Sequence, residues 1–579
     1  MQAATDFVPA RFDGTDWNQI EPLLQALLDR PVGSAAMLER WLLDRSELEA
    51  ACAEAEADLY IAMTCDTEDK AAQEAYTRYI ETVPPLMKPL VFALDRRQVE
   101  LSRKFALSPA RYGVLTRDTE AEVEIFRDQN VPIQTELEKL SQQYQQVTGA
   151  MTVSYDGREQ TLPMMGKYQE STDRAVRESS WRAVTDRRLK DVVAIDEIYD
   201  QMVRLRHQMA HNAGFKDFVG YAYKAKKRFD YTPAECRRFH EAAEKVVVPF
   251  LRRQDDRRRA LLGVGELRPW DLGVDPKGRQ PLKPFTGGVE LMSKSVAMFD
   301  RLDPRLGAML ASLGDGANTR GSKDGACLDL DSRKGKAPGG YQSMRDRSRK
   351  PFIFMNAAGL HRDVETMVHE AGHAFHSLLC IDEPLVRYRS APLEFCEVAS
   401  MSMELLTMPH WGGPAGFYPE EEDLARARRK QVEGSCSLLP WIATIDAFQH
   451  WIYERPAHTR AERTAAWLDL DRRFGHAVSW EGLEEARATQ WQRQMHLFGA
   501  PFYYIEYGIA QLGALQLWLR SLEDGETAAI RSYMRALALG GSRPLPELFK
   551  AAGLVFDFGP ETVARLVDRA ERELERLPE

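Results

Sequence analysis

Apolar and polar residues recur with a helical period through the first quarter of the chain. Between Trp17 and about Ala150, apolar residues stand three and four positions apart, as at Leu24, Leu27 and Leu28, and mixed-charge residues fill the positions between them. Residues at that spacing share one face of an α-helix, and that face buries against neighbouring helices. The pattern predicts an all-helical N-terminal lobe.

The helical period is then interrupted and resumes. Residues 152–162 alternate around Asp156-Gly157, a dipeptide that favours a two-residue hairpin turn. Helical spacing returns at Asp173 and continues past Phe250, until residues 269–271, Pro-Trp-Asp, break it. We therefore expect one β-hairpin between two helical regions.

A loop-rich stretch leads into a buried strand. Residues 303–345 are rich in Gly, Asp, Lys and Arg and predict loops with short strands, and Pro351–Asn356 is apolar enough for a buried strand. The glycines let backbone approach a ligand closely, and the edge of residues 352–355 suits pairing with an extended peptide. The stretch is thus predicted to form the edge of a substrate cleft, with a surface loop as the alternative. It contains no Gly-x-x-x-x-Gly-Lys-Ser/Thr phosphate loop.

The helix predicted after this strand carries the chemistry. Gly359 ends the strand, and Asp363 is placed to cap a helix. The apolar side of that helix carries Val364, Met367, Val368, Ala371 and Phe375.

Two histidines four residues apart lie on this helix, in the sequence His369-Glu370-x-x-His373. Residues at that spacing present both imidazoles to one ion, with Glu370 beside them as an acid/base group. Zinc accepts imidazole nitrogen and carboxylate oxygen, and a catalytic site keeps one position for water, so a third protein ligand is required. His361 and His376 flank the motif and are expected to pack or to support it from outside the ligand set.

The third ligand is expected on the next helix, which starts after Pro392. It offers Glu394, Glu397 and Glu404 near one face, and its apolar residues indicate that it is buried. A buried carboxylate needs a cation or a hydrogen-bond donor, which favours a metal role. Spacing alone does not choose among the three.

A cluster of tyrosines follows His496, and such clusters at helical spacing are usually core. Peptide hydrolysis, however, needs donors that face the oxygen on which charge develops. Tyr504 and Tyr507, three apart on a helix, are placed to supply two phenolic hydroxyls.

Composition narrows the class of protein. The 579 residues carry a net charge of −10, and their basic runs alternate with acids, so we expect no nucleic-acid partner. Seven widely spaced cysteines indicate neither a disulfide framework nor a cysteine zinc site. No leader or membrane-spanning run is evident, and no linker divides the chain. We expect a cytoplasmic protein of packed lobes, without a membrane partner, as a monomer or a dimer.

These stretches together resemble the M3 family of zinc metallopeptidases, and within it the oligoendopeptidase F and Pz-peptidase branch. The likeness runs from about Gly157 to Gly513. It is carried by residues 369–376, by Glu397 to Ser400 with Glu404, by Gly339-Gly340-Tyr341 before residues 351–354, and by residues 502–508. The family also carries a Pro-Trp-Asp like that at residues 269–271.

The resemblance implies roles for particular residues. His369, His373 and Glu397 would hold one Zn²⁺, Glu370 would be the base, and Glu404 and His376 would support the ligands from outside. His496, Tyr504 and Tyr507 would stabilise the transition state. Gly339, Gly340, Tyr341 and Tyr503 would contact the substrate.

The expected fold is mostly α: a two-lobed, neurolysin-like helical zincin with a small β-sheet beside the zinc helix and a deep central channel. We assign residues 1–165 to a helical N-terminal lobe and 166–579 to the catalytic region. The expected function is an endopeptidase that cleaves short unstructured peptides by a zinc-bound water that Glu370 activates. The alternatives are a zinc carboxypeptidase or dipeptidase and, from another class, an inactive peptide-binding scaffold.

Overall fold

A computed structural model describes residues 6–317, 326–333, 336–337 and 339–578. The described chain is mostly helical, as predicted. Its helices are α1 Trp17–Asp29, α2 Ala35–Cys65, α3 Lys70–Lys104, α4 Pro109–Ile125, α5 Val131–Gly149, α6 Gly166–Gln169, α7 Arg174–Leu189, α8 Val192–Asn212, α9 Phe218–Ala225, α10 Pro233–Ala242, α11 Val248–Leu262, α12 Gly287–Leu302, α13 Pro304–Ala311, α14 His361–Leu379, α15 Leu393–Leu406, α16 Glu421–Glu454, α17 Arg460–Phe474, α18 Glu484–Ala488, α19 Met495–Gly499, α20 Tyr504–Glu523, α21 Glu526–Leu537, α22 Leu545–Ala551 and α23 Pro560–Arg576. A π-helical turn, Ala243–Val247, joins α10 to α11, and Pro269–Asp271 forms one of several short 3₁₀ turns.

The N-terminal helices form where the apolar period predicts them. Asp16 caps α1 by accepting the backbone N–H of Asn18, and Leu24 and Leu27 are buried on its inner face. These leucines share a core with Trp41 and other residues of α2 to α4. The core also includes Tyr388, far along the chain, so this region packs against the rest of the protein.

The predicted hairpin is present. Strand β1, Thr152–Tyr155, pairs antiparallel with β2, Arg158–Thr161. Asp156 and Gly157 form the turn with φ values of 54° and 69°. Positive φ at both central residues is the geometry for which an Asp-Gly pair is suited.

A second sheet of three strands lies beside α14. Strand β5, Lys350–Ala357, runs between β3, Leu328–Asp331, and β4, Tyr341–Arg345; it is parallel to β3 and antiparallel to β4. The prediction that residues 352–355 offer an edge to an extended peptide is therefore wrong. Both edges of β5 pair within the sheet, and β4 is an outer strand.

The N-terminal helix α2 covers one side of this sheet. Ile61 and Cys65 of α2 pack with Phe352 and Phe354 of β5 in a small separate core. The hydroxyl of Tyr341 on β4 lies 2.6 Å from that of Thr64, which strengthens the contact with a hydrogen bond. The first helices and the sheet are thus joined by apolar and polar contacts.

Helix α14 begins two residues after Gly359, whose φ of 84° turns the chain out of β5. The predicted cap is displaced by three residues. Asp363 is the third residue of the helix, and its carboxylate accepts the backbone N–H groups of Ala358 and Leu360. It still stabilises the helix start, because a carboxylate in the first turn faces free N–H groups.

In the described residues, no helix is long and apolar enough to cross a membrane. All seven cysteines lie in the described part of the chain, and none of them forms a disulfide.

Candidate metal centre

The two helices that carry the predicted ligands pack very closely, and Gly372 of α14 makes this possible. A Cβ atom on Gly372 would lie 2.5 Å from the carbonyl oxygen of Ala399 and 2.6 Å from the Cα of Ser400, both in α15. Only glycine fits where two backbones approach to that distance. The approach puts Glu397, on the same turn of α15, opposite the two histidines of α14.

His369, His373 and Glu397 meet at one place. Glu397 Oε2 lies 3.4 Å from His369 Nε2 and 3.6 Å from His373 Nε2, and one ligand atom from each residue falls within 4.8 Å of the others. Two imidazole nitrogens and a carboxylate oxygen form a donor set that suits Zn²⁺. The two histidines of the motif and the glutamate that the family resemblance selected are therefore brought together as a candidate metal site.

Glu404 orients His369. Its Oε1 lies 2.7 Å from Nδ1 of His369, and its Oε2 accepts a hydrogen bond of 3.1 Å from the side-chain amide of Gln431. With Nδ1–H donating to Glu404, the lone pair of Nε2 is directed at the candidate metal position.

The pKa values fit a site for a cation. Burial lowers the pKa of His373 to about 4, so this imidazole is neutral at neutral pH, which is the form that binds a metal. Burial opposes ionisation of Glu397, but the protonated form of His369, which donates from Nε2 as well as Nδ1, the charge of His373 and a hydrogen bond from Ser400 lower its pKa to about 2. The carboxylate is therefore an anion in its buried position. A metal ion at the candidate position would replace the proton on Nε2 of His369.

Glu370 lies beside this cluster and is buried. Burial raises its pKa to about 7, and the charge of Glu397 acts in the same direction. Its Oε2 has no hydrogen-bond partner among the described atoms. A carboxyl group with a pKa near neutrality and a free oxygen is suited to accept and return a proton.

Glu394, the third carboxylate of α15, belongs to a different group of side chains. Its Oε1 accepts a hydrogen bond of 2.7 Å from the hydroxyl of Tyr231 and lies 3.9 Å from Nε of Arg228. Arg228 also donates 2.8 Å to Glu506. Glu394 thus interacts with Tyr231 and Arg228 and not with the two histidines.

The two flanking histidines lie apart from the ligand set. Nδ1 of His376 is 3.8 Å from the sulfur of Cys396, and its Nε2 has no partner among the described atoms. His361 is buried with Nδ1 at 2.5 Å from the hydroxyl of Tyr418. Neither residue is hydrogen-bonded to the three candidate ligands.

Two buried arginines donate hydrogen bonds to the backbone of residues 497–502, which lies just before Tyr503, Tyr504 and Tyr507. Arg206 donates to the carbonyls of Leu497 and Phe498, and Arg228 donates to the carbonyl of Phe502. Phe502 has a φ of 61°, a left-handed conformation that is uncommon for a side chain of this size. Such a backbone persists only where surrounding contacts hold it.

Three tyrosines reach the cluster differently. Tyr503 donates a hydrogen bond of 3.0 Å to Oε1 of Glu397, so it touches a candidate ligand directly. The ring of Tyr507 lies 5.1 Å from that of Tyr503, and burial with the nearby Glu397 raises its pKa. Tyr504 is half-buried, and desolvation raises its pKa overall although hydrogen bonds from Trp441 and Gln494 act in the opposite direction. The hydroxyl of Tyr504 therefore faces those two side chains.

The tautomer of His496 is set by a chain of hydrogen bonds. The indole N–H of Trp441 donates 3.3 Å to Oε1 of Gln494, which fixes the orientation of the amide, and Nε2 of Gln494 then donates 2.8 Å to Nδ1 of His496. Nδ1 is the acceptor, so Nε2 carries the proton and is a donor. Burial lowers the pKa of His496, which keeps this neutral form at neutral pH.

The residues before β5 are divided between the site and the N-terminal helices. A Cβ atom on Gly340 would lie 3.7 Å from Oε1 of Glu370, so the backbone of Gly340 passes close to the base. Gly339, with a φ of 98°, accepts the side-chain amide of Asn356 at its carbonyl. The ring of Tyr341 stacks 4.8 Å from that of Phe354. Tyr341 thus points toward the core shared with α2.

Sequence reasoning missed Gln431, Gln494, Trp441 and Ser400. Each acts through a hydrogen bond to another site residue, and two of the four contacts, Gln431 to Glu404 and Trp441 to Gln494, span 27 residues or more. Gln494, two residues before His496, and Ser400, three residues after Glu397, are the two that lie close enough in sequence to their partners to be found from it.

A helical fold with a His-Glu-x-x-His helix and a glutamate on the next helix defines a zincin-like architecture. The family model described as peptidase family M3 matches residues 167–559, more than half of the chain. The chain belongs to peptidase family M3.

Similar proteins agree with this. Oligopeptidase PepF of Bacillus subtilis (strain 168) is 24% identical over 262 residues, which cover 44% of this chain and 37% of the relative. The chain thus aligns with well under two thirds of that curated relative. The solved structure of Pz peptidase A with an inhibitor is 28% identical, with a TM-score of 0.87 over 98% of this chain and 99% of the other. A structure described as a candidate oligoendopeptidase F is 29% identical, with the same TM-score over 98% of each chain.

Proposed function

We propose that this protein is a zinc-dependent endopeptidase that hydrolyses internal bonds of short unstructured peptides. The observation that carries the proposal is the convergence of His369, His373 and Glu397 beside a buried Glu370. The M3 family and relatives named as oligopeptidases support peptides as the substrate class. Residues 166–579 would form the catalytic region, and residues 1–165 the helical N-terminal lobe.

The donor set fits one zinc ion per chain. His369 and His373 would each supply Nε2, and Glu397 would supply a carboxylate oxygen, which leaves a fourth position for the reaction. Zinc at this position would supply Lewis acidity to the carbonyl under attack and to water. Glu404 would keep His369 in the ligating tautomer. His376 contacts Cys396 through Nδ1 and makes no direct hydrogen bond to a candidate ligand.

The remaining steps are proton transfers and charge stabilisation by the chain. Glu370 would take a proton from the attacking water and return it to the leaving amine, a role that suits a pKa of about 7. His496, as an Nε2–H donor, and Tyr507 would face the oxygen on which charge develops. Tyr504 would position His496, since its hydroxyl faces Gln494 and Trp441. Gly340 and Tyr503 would border the substrate beside Glu370 and Glu397, with Gly339 and Tyr341 shaping the loop.

Replacing the base tests the mechanism. Glu370→Gln is expected to keep zinc and fold while turnover of an end-blocked peptide falls by about three orders of magnitude or more. Glu394→Gln, on the neighbouring helix, is the matched control for removing a buried carboxyl charge and should keep its zinc. Normal turnover by Glu370→Gln at full zinc content would refute the assignment of the base.

Zinc content tests the ligand set. Glu397→Ala should lose most of its zinc in elemental analysis, because removing one of three protein ligands opens the site. Full zinc occupancy in this variant would refute Glu397 as the ligand. Cleavage only of peptides with a free C-terminus, with end-blocked peptides untouched, would instead support the carboxypeptidase alternative.

A further inference from the structure

A cavity of about 260 Å³ opens beside the turn that precedes α19, close in sequence to His496. Helices α7 and α8, residues 151–169 and residues 486–493 line it. Most of its wall is apolar, with Met151, Leu162 and Val184 among the lining side chains. Two arginines, Arg188 and Arg493, also line it, and none of its lining residues is an aspartate or a glutamate.

Neither arginine has a carboxylate partner within 4.0 Å in the described part of the chain. Arg493 lies over the ring of Trp441, with 5.2 Å from its guanidinium carbon to the ring centroid. Asp471, the carboxylate that raises the pKa of Arg493, already accepts a hydrogen bond of 2.5 Å from Arg487. Neither cavity arginine therefore has a carboxylate of its own in an ion pair within the described chain.

Desolvation and mutual repulsion make the positive charges of Arg188 and Arg493 unfavourable. Burial lowers the pKa of Arg188, and both burial and the charge of Arg188 lower the pKa of Arg493. Arg493 is nevertheless an exposed residue and Arg188 is half-buried, so both can be reached from solvent. Two cations that repel each other in a partly desolvated space are stabilised when an anion enters.

Buried arginines elsewhere in the described chain donate to carboxylates or, as Arg206 does, to backbone carbonyls and a tyrosine hydroxyl. Arg177 donates 2.9 Å to Asp271, and Arg463 donates 2.7 Å to Asp196 and 2.7 Å to Asp200. These pairs show how the fold normally compensates a buried guanidinium. Since neither cavity arginine has such a partner in the described chain, the donors of both are open to a ligand from outside it.

We propose that this cavity binds a carboxylate attached to an apolar group, supplied by the peptide substrate either at its C-terminus or from an acidic side chain. The proposal rests on the proposed peptidase function for the identity of the ligand, although not for the existence of the site. Two guanidinium groups match the two oxygens of a carboxylate, since each guanidinium presents donors in a fixed fork.

The shape of the cavity favours an organic ligand over a free inorganic anion. Its apolar wall would bury the aliphatic part of a terminal residue, and its volume suits one residue more than a long peptide. Arg493 also contacts Trp441, the first member of the hydrogen-bonded chain through Gln494 to His496. An occupant would thus touch the structure that orients His496.

Binding of small carboxylates to the zinc-loaded protein tests the site without any turnover. By isothermal titration calorimetry we expect hexanoate to bind once per chain, and hexanamide and inorganic phosphate to bind at least about tenfold more weakly. Arg188→Gln and Arg493→Gln should each weaken hexanoate binding by about tenfold or more, since each removes charged hydrogen bonds. Arg182→Gln, on the same helix as Arg188 but paired with Glu178 at 2.9 Å, is the matched control and should bind as the wild type does.

The outcomes separate the possible occupants. Hexanamide binding as tightly as hexanoate, or hexanoate binding that is unchanged in both cavity variants, would refute the site. Phosphate binding as tightly as hexanoate would overturn the substrate assignment in favour of a free-anion site. Because an unpaired cation gives no stabilising contact, Arg188→Gln should unfold at the same Tm as the wild type or higher. A lower Tm with normal hexanoate affinity would show a structural role instead.

Kinetics identify the source of the carboxylate. For one cleavable peptide, amidation of the C-terminus should raise KM about tenfold in the wild type, with kcat little changed, and should have no effect in Arg493→Gln. If the substrate instead uses an acidic side chain, an Asp→Asn change in the peptide gives that same pattern. No KM difference in either pair would refute substrate recognition, whereas a protein that cleaves no peptide fails the proposed function and leaves the calorimetric test to decide the site.

Discussion

Replacing Gly372 by alanine tests whether the close approach of α14 and α15 builds the metal site. The new Cβ would meet the Ala399 carbonyl oxygen at 2.5 Å, whereas ordinary contact begins at 3.4 Å, so the helices must separate by about 0.9 Å. Overpacking of this kind costs about 1 to 3 kcal/mol. Metal–ligand distances tolerate only about 0.2 Å. Since Glu397 lies on the displaced turn, we expect zinc affinity to fall by about tenfold to a hundredfold.

Two measurements on Gly372→Ala separate stability from binding. Urea denaturation of the metal-free protein gives the free energy of unfolding, and competition with a chelator gives the zinc dissociation constant. Gly434→Ala is the matched control, because Gly434 is also helical and a Cβ there meets nothing within 4 Å. The control should gain up to about 1 kcal/mol of helix stability and keep its zinc affinity. Unchanged stability and zinc affinity in Gly372→Ala would refute the reasoning.

Three further predictions follow from the structure. Gln494→Leu should lower kcat by about tenfold and leave zinc content normal, because His496 loses the donor that fixes its tautomer; kcat equal to that of wild type would refute this. Burial raises the pKa of Asp271, but hydrogen bonds from Arg174, the Arg268 backbone and Arg177 lower it overall, so its stabilising effect holds above about pH 4 and is lost as pH falls further. Asp271→Asn should therefore cost about 3 kcal/mol at pH 7 and progressively less as the pH falls below about 4 in urea titrations, and a cost that does not fall with pH would contradict the linkage. Cleavage of a peptide extended at both ends with polar residues should decline with length if a channel leads to the site, and undiminished cleavage of long members and of casein would mean an open groove.

Much of the fold was predictable because local patterns determine local structure. The Asp156-Gly157 hairpin needed only residues adjacent in sequence, and the helices before Ala150 needed only their apolar period. The order of the three-stranded sheet was not predictable in this way. Strand β5 lies between two others because β3, which precedes it by 22 residues, pairs with it in parallel.

In the candidate site, too, the residues specified by local sequence were predictable and those that depend on distant contacts were not. His369, Glu370 and His373 are specified by one helical turn, and the choice of Glu397 over Glu394 needed the family resemblance. Spacing on α15 could not show that Glu394 accepts a hydrogen bond from Tyr231 and pairs with Arg228. The tautomer of His496 depends on Trp441, 53 residues from Gln494, and such a pairing has no signature in the sequence.

The core shared by α2 and β5 has a consequence for how the chain folds as it is made. Ile61 and Cys65 leave the ribosome about 290 residues before Phe352, which is on the order of 15 to 60 seconds of synthesis at about 5 to 20 residues per second. During that interval the end of α2 has no strand to cover it. A ribosome-bound chain that ends before β5 should therefore expose this apolar surface to chaperones, and one that extends past β5 and α14 should hide it.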